Sequence, residues 1–239
     1  MYKKMLFHIF LPIFLFANEN YYNGLKAYND REFFKAIELF DKACVENNAA
    51  GCNNFALMLS TGQATKLNIV NAAELFIKAC DLKDATGCFN AASIMISYSE
   101  TVQNFSQIVG LYEKACLYGN SAGCSNLAVI FTNGIGTKID TKRAIGYFER
   151  ACALDNLQAC ANAGVFFEDT NSTKAQNLFL KACDGNNALG CYNIGVIRAK
   201  ASKNKNEALG AKMYLDKACK LKEELACKAS QRLEEDLKN

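Results

Sequence analysis

Leu111-Tyr-Glu-Lys-Ala-Cys-Leu-Tyr-Gly-Asn-Ser-Ala-Gly-Cys-Ser-Asn126 holds two cysteines, Cys116 and Cys124, with seven residues between them. The same arrangement recurs as Cys44 and Cys52, Cys80 and Cys88, Cys152 and Cys160, Cys183 and Cys191, and Cys219 and Cys227. All twelve cysteines are thereby used as six pairs, and the first members of successive pairs lie 36, 36, 36, 31 and 36 residues apart. A fixed period in this range marks an array of stacked supersecondary units, each burying its apolar face against the next.

The spacing carries geometry. Eight residues of continuous α-helix rise about 12 Å, whereas a disulfide requires Cα atoms within about 7 Å. A bonded pair therefore cannot lie on one straight helix, and the chain must turn between its cysteines. Gly119-Asn120, Asp155-Asn156 and Gly185-Asn186-Asn187 are residues that permit such turns. Each pair reads as a staple across a helix–turn–helix corner. Buried free thiols in a cytosolic array are the alternative, and the beginning of the chain decides between them.

Met1 to Lys4 supply two lysines, Met5 to Phe16 form an apolar run, and Ala17 is small. This is the pattern of a secretory signal peptide over residues 1–17, too short for a membrane span of about 20 residues. Cleavage after Ala17 is expected; an uncleaved anchor is the alternative. No cysteine follows the cleavage point, which argues against a lipid anchor there. Cleavage removes His8, the only histidine, and Pro12, the only proline. It leaves 25 basic against 24 acidic residues. So even a balance argues against a nucleic-acid partner, which calls for a basic face. An even number of cysteines in an exported chain reads as a disulfide framework.

Phe33, Ala36, Ile37, Phe40 and Cys44 recur at three- and four-residue steps, the stripe of an amphipathic helix. Later repeats keep it: Phe76, Tyr112, Phe148, Phe179 and Leu215 stand four residues before the first cysteine. Ala72, Ala144, Ala175 and Ala211 stand eight before it, with Ile108 as the exception. Large residues facing small ones read as inter-helix core. A second, shorter helix is expected to start around each second cysteine. From second cysteine to next first cysteine the separations are 28, 28, 28, 23 and 28, so the short repeat loses its five residues near Glu168–Thr173. Residues 227–239, rich in charge, read as the polar helix that closes such an array. The expected organisation is a signal peptide followed by one domain, 18–239, of about six helix–turn–helix repeats.

Alternating helices with Gly134-x-Gly136, Asp140, Ala144 and Phe148 resemble a Sel-one-like repeat, a relative of the tetratricopeptide repeat. With Lys-Ala-Cys and a cysteine eight residues on, the chain is similar to the Helicobacter cysteine-rich proteins over nearly all of 21–239. The complete loop signature stands only in the unit after Cys124. The resemblance implies an all-α protein, an exported α/α superhelical solenoid with one disulfide per repeat. It also implies, as a second functional reading, β-lactam binding and slow β-lactam hydrolysis, or handling of peptidoglycan.

Loss of His8 removes Ser-His-Asp and Cys-His nucleophiles from the mature chain, and seven intervening residues are too many for a structural zinc pair. No metal or cofactor is expected. One Ser-x-x-Lys, Ser202 to Lys205, lies in a lysine-rich loop without the Ser-Asp-Asn or Lys-Thr-Gly that accompany it in serine β-lactamases; it reads as a chance match. A better candidate is the row Asn54, Asn90, Asn126, Asn162 and Asn193, each two residues after the second cysteine of its pair. Amides donate to and accept from a peptide backbone, and related helical repeats clamp extended peptides with asparagines. A structural role, bonding neighbouring helices, is the competing reading. The preferred function is a monomeric exported scaffold binding a peptide, a protein or a cell-wall fragment. Peptide mapping of the oxidised protein should find only nearest-neighbour bridges, 44–52, 80–88, 116–124, 152–160, 183–191 and 219–227; a bridge between different pairs would contradict the corner.

Overall fold

The computed structural model describes residues 11–98 and 105–238, with side chains from residue 18 onward. The described residues form helices and no strand. In order they are α1 (Leu11–Asn29), α2 (Phe33–Val45), α3 (Ala49–Thr61), α4 (Ile69–Asp81), α5 (Ala85–Tyr98), α6 (Phe105–Leu117) and α7 (Ser121–Asn133). They continue as α8 (Thr141–Ala153), α9 (Leu157–Phe167), α10 (Ser172–Asp184), α11 (Ala188–Ala201), α12 (Lys205–Lys220) and α13 (Glu224–Asp236). The all-α repeat expected from the sequence is the fold observed. Of the expected leader, residues 1–10 lie outside the described residues, and 11–17 continue the backbone of α1. No helix among the described residues is long and apolar enough to cross a membrane.

Contacts cluster into two compact units, residues 1–123 and 124–239. In the first, each helix from α1 to α6 packs on the next, while α3 also touches α5 and α4 touches α6. Odd-numbered helices thus form one layer and even-numbered helices the other. In the second, α8 to α13 pack in sequence, and α9 touches α11, which touches α13.

Every corner is built alike. The even helix ends one residue past the first cysteine, and two residues later the chain enters the left-handed region. Asn47 (φ 65°), Lys83 (66°), Gly119 (98°), Asp155 (60°), Asn186 (64°) and Lys222 (71°) occupy that position. Its N–H donates to the first cysteine's carbonyl, as from Lys83 to Cys80 at 2.9 Å and from Lys222 to Cys219 at 2.9 Å. The following residue donates to the carbonyl before that cysteine, Asn48 to Ala43 at 2.9 Å and Asn187 to Ala182 at 2.9 Å. These paired bonds satisfy the last free carbonyls of the even helix. The same residue then caps the next helix: Asn48 accepts from the Gly51 N–H at 2.8 Å, Asn156 from Ala159 at 3.0 Å and Asn187 from Gly190 at 2.8 Å. Odd helices therefore begin three residues before the second cysteine, not at it. The closing helix likewise starts at Glu224, capped by Glu223, rather than at Cys227.

This turn brings the cysteines together. The bridges Cys44–Cys52, Cys80–Cys88, Cys152–Cys160, Cys183–Cys191 and Cys219–Cys227 hold Cα atoms 4.4–4.6 Å apart. Cys116 and Cys124 are also disulfide-bonded. So close an approach leaves no room at the residue before the second cysteine. A Cβ on Gly190 would sit 2.5 Å from that of Ala182, and only Ala159 and Ala226 replace glycine at this position.

The even-helix stripe forms the core as expected. Phe40, Phe76, Tyr112, Phe148, Phe179 and Leu215 are at most 3 % exposed; the alanines four residues before five of them are fully buried, and Ile108 before Tyr112 is 2 % exposed. The short repeat is shortened in two places: the α9–α10 loop has four residues, 168–171, against seven at 62–68, and α9 itself is two residues shorter than α3.

Lysines two residues before the first cysteine tie repeat to repeat. Lys78 Nζ donates to the Cys44 carbonyl at 2.8 Å, Lys181 to Cys152 at 2.8 Å and Lys217 to Cys183 at 2.6 Å. A cation thus meets the negative end of the preceding even helix.

The exposed lysines at left-handed corners provide a test. Glycine is destabilising in most settings but relieves the Cβ clash where φ is positive. Lys83→Gly and Lys222→Gly should each raise stability by about 0.5–1 kcal/mol in denaturant melts, whereas Glu74→Gly at an exposed position inside α4 should lower it by about 1 kcal/mol.

Candidate functional site

Two cavities lie on the odd-helix side, one in each unit. In the first unit, α1 and α3 flank a cavity of about 450 Å³ floored by Phe40 of α2. Leu25, Tyr28, Leu57 and Met58 give it apolar walls, and Asn29, Asn54, Thr61 and Gln63 are its polar lining. In the second unit, α7 and α9 flank a cavity of about 260 Å³ floored by Phe148 of α8, with Val129, Thr132, Asn133, Asn162, Val165 and Phe166 around it. The two are the same place in the repeat. Phe40 and Phe148 stand four residues before a first cysteine, and Asn54 and Asn162 two after a second. The second is smaller where Phe166 takes the position of Met58, its ring centroid 6.0 Å from that of Phe148.

The asparagine row divides in two. Asn90 Nδ2 donates to Asn53 Oδ1 at 2.9 Å, and Asn53, itself only 8 % exposed, reaches Asn54 Oδ1 at 3.5 Å. Burial, with the nearby Tyr22 and Asp84, raises the Tyr21 pKa. The Asn90–Asn53 bond joins α5 to α3. In the second unit Asn162 accepts from Gln158 Nε2 at 3.1 Å, and its own N–H groups have no partner among the described residues. Asn193, half-buried, makes no side-chain hydrogen bond among the described residues. Asn126 is half-buried and has an interaction partner.

Ser202 and Lys205 share an open cleft of about 460 Å³ with Leu233 and Leu237. They are not joined as nucleophile and base: the Ser202 hydroxyl donates to the Ala199 carbonyl at 2.7 Å, and Lys205 Nζ to the Leu237 carbonyl at 2.9 Å. The densest charged cluster docks α13 on α12. Lys212 Nζ lies 3.0 Å from Asp216 and 3.4 Å from Glu234, and the buried Ser230 hydroxyl donates to Asp216. The hydrogen bond to Asp216 raises the Lys212 pKa. Burial works upward on Asp216, but the bonds from Ser230 and Lys212 outweigh it and hold the carboxyl below its usual range. No group of three metal-ligating side chains occurs among the described residues.

The model of the Sel1 repeat matches residues 17–47, 49–84, 121–156 and 158–187, more than half of the chain. The chain belongs to the Sel1 repeat family. Among solved structures, it superposes with a TM-score of 0.70 and 18 % identity on a protective antigen of uropathogenic Escherichia coli strains displaying an SLR fold. The match covers 84 % of this chain but 45 % of the antigen, so the chain spans about half of that protein's length. A Sel1 repeat protein from Oxalobacter formigenes gives 0.68 at 19 % identity, covering 84 % of this chain and 82 % of that one. Both likenesses are likenesses of fold. Helicobacter pylori cysteine rich protein B is similar at 27 % identity over 52 % of this chain and 92 % of its own, with a TM-score of 0.40. No curated protein matches the sequence.

Within this Sel1 array, sequence reasoning missed the lysine bridges and Asn53. Lys-Ala-Cys was visible as a motif, but its partner lies in the preceding repeat, 34 residues away for Lys78. Asn53 has no equivalent amide in later repeats, where Phe89, Ser125, Ala161 and Tyr192 stand. The division of the asparagine row is measurable without a ligand. Asn90→Ala removes a donor from the buried Asn53 and should cost about 1–3 kcal/mol in a urea melt, while Asn193→Ala should change stability by less than about 0.5 kcal/mol. Equal losses would contradict the division.

Proposed function

We propose that this Sel1 repeat protein is an exported binding scaffold whose odd-helix side holds an extended peptide segment of a protein partner or of the cell wall. The leader 1–17 is removed and residues 18–239 act as one repeat domain. Export is supported by the cysteines, none of which is free; structural disulfides persist in oxidising compartments and are rare in the cytosol.

One observation carries the binding reading. Asn162 stands at a cavity floored by an aromatic ring, with amide N–H groups that no other side chain uses among the described residues. An extended peptide offers a backbone carbonyl for each such amide and a side chain for each hollow between odd helices. The buried disulfide corners keep the helices fixed, so the binding surface is preformed and little ordering free energy opposes association.

A phage-displayed library of random dodecapeptides, selected against the oxidised chain 18–239, tests the reading. It should yield peptides whose affinity falls about fivefold in Asn162→Ala and again in Asn162→Ala with Asn193→Ala, corresponding to about 1 kcal/mol per hydrogen bond. The variants should keep their unfolding midpoints. Selected peptides that bind the double variant as tightly as the parent, or a library that yields none, would defeat the proposal.

A further inference from the structure

We infer that the cavity between α1, α2 and α3 is an anchor pocket for a single uncharged apolar side chain, that of phenylalanine, leucine or methionine, on a peptide segment held by the odd helices of the first unit. The inference rests on the peptide-binding reading above and goes further by naming what the segment must carry.

Chemistry of the lining makes the selection. Phe40 and Met58, at most 2 % exposed, form the bottom, and Leu57 and Tyr28, each 40 % exposed, form the walls. No charged residue lines the cavity. A lysine or glutamate side chain entering it would lose hydration with no opposite charge to meet, which is strongly unfavourable. An apolar side chain removes its own surface and the exposed parts of Leu57 and Tyr28 from water together. The rim completes the fit. Asn29 and Gln63 make no side-chain hydrogen bond among the described residues, so their amides are available to the backbone on either side of the inserted residue.

The second unit supplies an internal comparison. At the equivalent cavity Phe166 stands where Met58 stands, and the volume is about 260 Å³ instead of about 450 Å³. The repeat thus accommodates phenylalanine at this position, and phenylalanine there narrows the space. The first cavity has room for a whole large side chain, and a phenylalanine at position 58 would reduce that room.

Methyl NMR on chain 18–239, labelled at methionine and leucine, tests this with four probes: the N-acetyl amides of phenylalanine, leucine, lysine and glutamate. Three methionines remain in that chain, Met58, Met95 and Met213, so the latter two serve as references. The phenylalanine and leucine probes should shift Met58 and Leu57 saturably, while Met95 and Met213 stay still; the lysine and glutamate probes should bind at least tenfold more weakly. Met58→Phe should abolish the Leu57 shifts while keeping the unfolding midpoint. Leu57→Asp, at an exposed wall, should abolish the Met58 shifts, so the test stands even if Met58→Phe folds poorly. Charged probes that bind as well as neutral ones, neutral probes that shift nothing, or a folded Met58→Phe that binds like the parent would overturn the inference. So would Met58 shifts that grow with protein concentration alone, since a second copy would then be the occupant. Library peptides that require Asn162, beside neutral probes that leave Met58 unshifted, would remove the anchor pocket and keep the peptide-binding reading. A library without binders, beside selective Met58 shifts, would do the reverse.

Discussion

Holding two cysteines eight residues apart in sequence within 4.4–4.6 Å forces a reversal that one helix cannot make, and the rest of each repeat follows from it. The residue three past the first cysteine must go left-handed, and the next must both close one helix and open another. Two helices leave this corner antiparallel, with the alanine before the first cysteine against the glycine or alanine before the second. A ring of nine residues also limits the unfolded chain, by about 2.6 kcal/mol per bridge in the chain-entropy model. An array without a deep central core benefits from that restriction in every repeat.

Between repeats the restraint is polar as well as apolar. Lysines 78, 181 and 217 each reach the carbonyl of the preceding first cysteine. They bond a carbonyl at the end of the preceding even helix, where the helix dipole is negative. The corner edge of the array is therefore fixed by covalent bonds within repeats and charge-assisted hydrogen bonds between them. Aromatic residues at the middle of five of the even helices, and Leu215 in α12, fill the space between layers.

Rigidity at the corners leaves the odd-helix side free to vary. Cavities there share a floor and a framework, yet single substitutions change what they offer: methionine or phenylalanine at the bottom alters the volume, and an extra amide such as Asn53 turns a neighbouring asparagine inward. Variation in a few odd-helix residues can thus reshape these cavities without disturbing the even-helix stripe on which folding depends.

The cysteine spacing by itself determined the repeat length, the helix–turn–helix unit, the local disulfides and the core positions of Phe40, Phe76, Phe148 and Phe179, because these rest on periodicities within one repeat. Helix starts were misplaced by three residues, since the signal that sets them is a cap, Asn48 or Asn187, whose role depends on the turn before it. The fate of each asparagine was decided only in three dimensions. Asn90 and Asn162 occupy the same place in the pattern, yet one meets Asn53 from another helix and the other meets Gln158 on its own. Whether an amide is spent on the fold or left for a ligand depends on neighbours supplied by other helices, and a periodic sequence does not specify those contacts one residue at a time.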